Sequence, residues 1–582
     1  MRKTFVATLV LALAGFAGNA SAVLEVSGGC TSADSLSVRT WGDVAGEEEI
    51  VMNGPFFVED GCILTILPGV IVRGQPRTAA IQEGVTAGTP GVLIVTQTGR
   101  LIANGNATNP IVMTTAAIDN NDDDVADGRG VVCPTCATPW TSGDTFLDDT
   151  PKTAPLAPLD GNGDGNLSLW GGLVVLGSAP TNNADKCGGV PYGECTVEGL
   201  TFPGFAAARA EYGGVLPHDN SGSLQYVSVR HAGDELGADN ELNGISLGGV
   251  GDGTTIDHVE AYSNFDDGFE WFGGTVNGKH LVTAFVGDDM FDMDEGYTGV
   301  NQFLFGVMPF FNQNDTGPFG SASGDKACEL DGDNYKPDDP LKLGNANTRI
   351  NADNTVVDPT PWPFSNPAIY NMTIIGSTPP SGQHFTPTSV ASDNLGIQVR
   401  QGFAGEIYNT IVVNTGSNAG LVIDTDTNEN APGFSAVENS VNSAIHPRTG
   451  GAISLVCSTL DDGAGLTADA QEIVDNGDAL VTALGGGAAS SNVIYGLFAN
   501  LASEDTTFDP QGNASGKLDS TLVGSKIDPR PTGFAGIGGC PAPPAGMGLD
   551  PAATYRGAFP IGGKPWTAGW TVLGIAEMMV NN

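Results

Sequence analysis

Apolar and polar positions alternate along short runs that glycine corners interrupt, and the same run-corner-run unit returns at regular intervals. Near the N-terminus, Ile63-Leu-Thr-Ile-Leu-Pro-Gly69-Val-Ile-Val72 matches Leu93-Ile-Val-Thr-Gln-Thr-Gly99-Arg-Leu-Ile102 at an offset of 30 residues, glycine over glycine. In the middle, His258 to Gly274 matches His280 to Gly296 at an offset of 22, with Asp266-Asp-Gly-Phe-Glu270 over Asp288-Asp-Met-Phe-Asp292. Asn243-Gly-Ile-Ser246 lies one step earlier and Gln302-Phe-Leu-Phe305 one step later, and further rungs are visible at 369–375, 395–400, 406–413 and 421–424. Alternation with period two predicts strands. A repeat of this length holds two or three short strands, and one such unit buries its apolar face only by stacking on the next. The pattern predicts an all-β chain, a right-handed parallel β-helix. A leucine-rich repeat has a similar period, but the chain lacks its regular leucine pattern and asparagine ladder.

Two stretches break the rhythm. Residues near 115–165 are rich in Asp, Asn and Gly, and those near 310–365 in Pro, Asn and Asp, so both are expected as long acidic loops leaving a solenoid that spans 23–450. Beyond, 451–582 is expected to be an irregular C-terminal capping region. Thr467 is placed to N-cap a short helix reaching about Val474, and the segment with Trp566 and Trp570 is expected to cover the open end of the core.

The first residues set the expected compartment. Arg2 and Lys3 precede an apolar run from Phe5 to Phe16 and an Ala20-Ser21-Ala22 cleavage site, the form of a secretory signal peptide over 1–22. The run is too short for a membrane span, and no later one is long enough, so the chain is not expected to be an integral membrane protein. Export to the periplasm, the outer cell surface or the medium follows, with a mature chain from Val23. The 83 glycines and 15% charged residues suit a turn-rich β protein rather than a helical bundle. With 67 acids against 23 bases and a net charge of −44, nucleic acid is excluded as a partner, since phosphate binding needs clustered Lys and Arg. In an oxidising compartment the nine cysteines suggest the pairs Cys30–Cys62, Cys133–Cys136, Cys187–Cys195 and, more distantly, Cys457–Cys540, with Cys328 left over. Cys133-Pro-Thr-Cys136 has no βαβ context or second pair, which favours a local staple over a redox or zinc motif.

Several segments then resemble a family of exported bacterial right-handed parallel β-helix proteins, mostly uncharacterised secreted proteins or lipoproteins. They are Trp170-Gly-Gly-Leu-Val-Val-Leu-Gly177, Ser221-Gly-Ser-Leu-Gln-Tyr-Val-Ser-Val-Arg230, Gly248-Gly-Val-Gly-Asp-Gly-Thr-Thr-Ile-Asp257, Asp266-Asp-Gly-Phe-Glu-Trp-Phe-Gly-Gly274, and Tyr555-Arg-Gly-Ala-Phe559 with Trp566 to Thr571. The resemblance covers most of the mature chain and implies fold and export. It carries no catalytic residues, and this chain lacks the lipobox cysteine of the lipoprotein members.

The acids between Asp266 and Glu295 are the sharpest candidate chemistry. If Phe269, Trp271, Phe291 and Met293 point inward, then Glu270, Asp292 and Asp294 point outward, and the 22-residue offset sets Glu270 beside Asp292, Asp266 beside Asp288 and Asp267 beside Asp289. Carboxylates on strands about 4.8 Å apart must take up a proton or share a cation; clustered oxygen ligands favour Ca²⁺. Asp266, Asp288 and Asp294 are therefore candidate metal ligands, and Asp267, Glu270, Asp289 and Asp292 candidate catalytic carboxylates. Phe272, on the column of Asp294, is a candidate platform for a sugar ring. The alternative is a hydrated acidic ladder. A second calcium candidate, Asp160-Gly-Asn162-Gly-Asp164-Gly-Asn166, follows the EF-hand spacing but has Gly171 where the bidentate acid belongs. Asp119 to Asp127 and Asp331-Gly-Asp333-Asn334 are weaker candidates. His258 and His280 also align and can hold a transition metal if both face outward, although a plain polar ladder is the commoner outcome.

Many parallel β-helices cleave polysaccharides. A lyase of pectate type needs a base beside its calcium site, for which Arg230 and His231 are the candidates, and a glycosidase needs paired carboxylates. The Asp266-Asp267 and Asp288-Asp289 doublets resemble those of polygalacturonases, whose Gly-His-Gly and Arg-Ile-Lys motifs are missing. The expectation is a secreted, Ca²⁺-stabilised surface or binding protein, non-catalytic, offering an acidic face to a glycan (carbohydrate binding), a metal ion or an outer-membrane or surface protein. The alternative is a polysaccharide lyase or glycoside hydrolase.

Overall fold

The computed structural model describes residues 23–43, 48–76, 89–119, 145–158, 166–182, 195–197, 200, 207–237, 240–308, 326–332, 365–376, 395–400, 403, 405–413, 421–423, 454–456, 459–460, 529–530, 540, 542–545, 548–560, 562–576 and 579. Among the described residues, twenty-four strands hydrogen-bond into one continuous array whose pairings are all parallel. It is a right-handed parallel β-helix, as the repeats predict.

Each central coil has three sides. Thr255–Tyr262 bends at His258 into two halves and is followed by Phe269–Phe272; Asn277–Ala284 bends at His280 and is followed by Phe291–Asp294. The bends are left-handed residues stacked coil upon coil: Tyr226, His258, His280, Phe303, Asn371 and Asn409 all have φ between 49° and 62°. The first halves form one sheet, the second halves a second sheet, and the short strands a third. Along the third sheet, Leu93, Leu173, Ile245, Phe269, Phe291, Cys328 and Ile397 stack in register and are fully buried. At about 25 cal/mol per Å² such columns supply the main stabilisation.

The 22-residue match is the true register: Phe269 lies on Phe291, Glu270 on Asp292 and Trp271 on Met293. The 30-residue match is not. Ile63 pairs with Arg100 and Phe56 with Leu93, an offset of 37. A strand-glycine-strand unit occurs at more than one corner of a coil, and the sequence match superimposed two different corners. The loop expected over 310–365 also needs correction, because Lys326–Asp331 is a buried strand of the third sheet, between Phe291–Asp294 and Leu395–Arg400.

The tryptophans do not close the end of the core. Residues 548–560 and 562–576 run along the outer face of the second sheet as a strap. That face is apolar at Tyr262, Val282, Phe305 and Ile375, and Phe559, Trp570, Val572 and Leu573 cover it. Asn371 Nδ2 donates to Tyr555 O at 2.7 Å, Ala558 N to Thr373 Oγ1 at 2.8 Å, and Val572 N to Glu260 Oε1 at 2.8 Å. Cys30–Cys62 is a disulfide with Cα atoms 5.8 Å apart, and Cys328 is a buried free thiol. Cys195 and Cys540 are also disulfide-bonded; Cys133, Cys136, Cys187, Cys457 and the helix expected from Thr467 lie outside the described residues. No described helix is long and apolar enough to cross a membrane.

Candidate functional site

The outer face of the third sheet carries a cleft of ≈ 320 Å³ lined by Glu241, Asp266, Asp267, Glu270, Asp288, Asp289, Asp292 and Glu329. Strand alternation produces it. With Phe269, Trp271, Phe291, Met293, Cys328 and Leu330 in the core, Glu270, Asp292 and Glu329 stand side by side outside. The corners before these strands add the Asp266-Asp267 and Asp288-Asp289 doublets. Ligand oxygens of Asp266, Asp267 and Asp288 lie within 4.8 Å of one another, and so do those of Asp267, Glu270 and Asp292.

Asp267 and Asp289 also hold the coils together. Asn243 Oδ1 accepts from Asp267 N at 3.2 Å, Asp267 Oδ1 from Asp289 N at 2.9 Å, and Asp289 Oδ1 from Lys326 N at 2.8 Å. This ladder fixes one carboxyl oxygen of each Asp and buries both residues. Burial, followed by the charges of Asp266, Asp292, Asp289 and Glu270, pushes Asp267 well above the ordinary carboxyl range. Burial with Asp288 and Glu329 does the same to Asp289, and burial with Glu270 and Glu329 to Asp292. Asp292 Oδ1 is buried and makes no hydrogen bond among the described residues. The counter-charge on this wall is Lys326, whose Nζ lies 3.0 Å from Glu329 Oε2 and 3.5 Å from Asp289 Oδ2. Hard oxygens at this density, with one buried lone pair unmatched, fit a hard divalent cation such as Ca²⁺.

The remaining candidates fall elsewhere. Asp294 is outside the cleft, two residues beyond Asp292 along the strand. Phe272 faces outward but is only 3% exposed, since Tyr212 packs on it with ring centroids 5.9 Å apart. It is not an open sugar platform, because a distant segment supplies a lid that local alternation does not reveal. Tyr212 donates to Glu295 Oε2 at 2.5 Å, which takes Glu295 out of the cleft as well. Asp160, Asn162 and Asp164 lie outside the described residues, as do Asp333, Asn334 and most of 119–127. Asn166 is buried and donates from Nδ2 to Ala157 O at 2.9 Å. Arg230 and His231 are fully buried. Arg230 Nη1 donates to Pro151 O, and burial lowers His231 to about 4, so neither reaches a substrate as a base. The sequence reading missed Glu241 and Glu329. The alternation Cys328-Glu329-Leu330 repeats Phe291-Asp292-Met293, a signal masked by its Pro- and Asp-rich surroundings.

A family model described as a pectate-lyase-like β-helix domain matches residues 43–141 and 164–447, more than half of the chain. The chain belongs to this family. No curated protein and no solved structure matches it. As a pectate-lyase-like β-helix protein it carries its acidic cleft on a sheet face within the matched coils, with Glu241 added by the hairpin of Asp234–Gly237 and Asn240–Leu242.

Proposed function

We propose that the protein is an exported β-helix that binds Ca²⁺ in the cleft of the third sheet and presents this loaded face to a glycan or a surface partner without cleaving it. The observation that carries the reading is the convergence of eight carboxyl groups on one cleft, three of them pushed far above their ordinary range, with Lys326 as counter-charge. A divalent ion held by Asp266, Asp267, Asp288, Glu270 and Asp292 takes the place of the protons that Asp267 and Asp292 otherwise keep. The burial of Arg230 and His231 takes away the two bases that the sequence offered for elimination. Thermal unfolding with Ca²⁺ and with EDTA tests the reading. A ligand at 100 times its Kd stabilises by about 2.7 kcal/mol, so the melting temperature rises with Ca²⁺ and falls on chelation; an unchanged value rejects it.

The family favours one further reading, polysaccharide cleavage at the same cleft. Asp267, Glu270 and Asp292 would supply the acid and base, and Lys326 is the basic side chain at hand. A panel of acidic and neutral polysaccharides assayed for unsaturated or reducing ends separates the readings. Activity lost in Glu270→Gln and Asp292→Asn with folding intact establishes the enzyme, and silence across the panel leaves the binding protein.

A further inference from the structure

A second cluster lies away from the acidic cleft, at the corner between the first and second sheets. Tyr226, His258, His280 and Phe303 occupy the same left-handed position in four successive coils, and their rings form one stack. Centroids are 4.2 Å apart for Tyr226 and His258, 4.1 Å for His258 and His280, and 4.9 Å for His280 and Phe303. Trp566 and Trp570 of the strap close one side. The stack holds both imidazoles so that their Nδ1 atoms share an edge. His280 Nδ1 lies 2.7 Å, and His258 Nδ1 2.8 Å, from the same atom, Asp257 Oδ1. The two contacts differ. That of His280 is a well-aligned hydrogen bond, whereas that of buried His258 Nδ1 is an ion-pair contact off the hydrogen-bond axis. Asp257 Oδ1 thus faces two imidazole nitrogens at once, an N,N,O set on one corner of the coil.

We infer that Asp257, His258 and His280 form a binding site for a late first-row divalent transition ion, Cu²⁺ foremost, through Asp257 Oδ1 and the two Nδ1 atoms. The three ligand atoms lie within 4.8 Å of one another. Metal bonds of about 2.0–2.1 Å set neighbouring ligands at right angles about 2.9 Å apart, close to the two nitrogen-oxygen separations. A tetrahedral ion spreads them further. Mixed N,O ligands at right angles suit Cu²⁺ or Ni²⁺, and Cu²⁺ binds most tightly in the divalent series. The imidazoles separate this site from the all-oxygen cleft, which suits Ca²⁺.

The test uses the full mature chain with excess Ca²⁺ to occupy oxygen sites and one equivalent of Cu²⁺, read by electron paramagnetic resonance and by competition titration. The expected spectrum shows hyperfine splitting from two nitrogens. His258→Phe and His280→Phe keep the ring stack, since Tyr226 and Phe303 fill the same position in adjacent coils, and each should remove one nitrogen and weaken Cu²⁺ at least about tenfold. Asp257→Asn should weaken it by a similar factor while both nitrogens remain, since a neutral amide oxygen then replaces the carboxylate ligand. An all-oxygen spectrum, or a two-nitrogen spectrum unchanged in both Phe variants, overturns the assignment. Circular dichroism confirms that each variant is folded.

Discussion

Asp267 and Asp289 are held by two demands that pull apart. Each must accept the backbone N–H of the next coil, and each sits among like charges that oppose its ionisation. Asn243 fills the same place one coil earlier and accepts without a charge. Asp267→Asn should therefore keep the ladder, raise the stability of the Ca²⁺-free protein and shrink the gain that Ca²⁺ brings. Asp267→Ala leaves the Asp289 N–H unmet and should cost about 1–3 kcal/mol. Urea unfolding of both variants with and without Ca²⁺ checks the pair. The same groups set a pH dependence. Their folded pKa values are raised, so the folded state keeps protons that an unfolded Asp loses above about pH 3.9. Folding stability is then fully present at acid pH and is lost as pH rises toward the folded values. Glu260, raised to about 7 by burial, adds in the same direction between its ordinary 4.5 and about 7. The melting temperature without Ca²⁺ should fall from pH 5 to pH 8 and hold steadier with Ca²⁺; a rise over that window without Ca²⁺ contradicts the assignment.

Among the elements, the strands of the 22-residue repeat were legible because alternation there is strict: a one-residue slip would bury Glu270 and Asp292 and expose Trp271 and Met293. Coils of unequal length were not. The N-terminal match failed because a glycine corner looks alike wherever it falls on a coil. The strand Lys326–Asp331 was hidden because the sequence around it is rich in Pro, Asn and Asp while its partners in space, 37 and more residues away, supply its hydrogen bonds. Six of the eight lining residues were therefore readable, namely the two Asp doublets with Glu270 and Asp292, and Glu241 and Glu329 were not. The strap was misplaced for a related reason. Its tryptophans signal a need for burial, but the sequence does not say which apolar surface receives them. The outer face of the second sheet does, and Trp570 is fully buried against it. Trp570→Ala should cost about 3–5 kcal/mol, seen as a lower urea midpoint. If the midpoint does not move, the strap adds nothing to the fold.

For the whole molecule, cross-links and stacking share the work. The Cys30–Cys62 bond joins the first coil to the next across 32 residues, and a loop of that length contributes about 3–4 kcal/mol. Cys30→Ala with Cys62→Ala should lower the unfolding midpoint accordingly. The strap has a consequence for how such a chain changes size. A solenoid ordinarily grows or shrinks by whole repeats at little cost to the rest. Here one segment is fastened at Tyr226, His258, His280, Phe305, Thr373 and Asn409, which belong to successive coils. Removing the 22 residues 259–280 keeps every strand in phase, yet it brings the coils below about 4.8 Å closer to those above while the strap keeps its length. The deletion should then cost more in the full chain than in one ending at residue 547, and a thermodynamic cycle of the two changes would read the difference as a coupling energy. The strap in this way acts as a ruler, and it fixes the number of coils between residues 222 and 413.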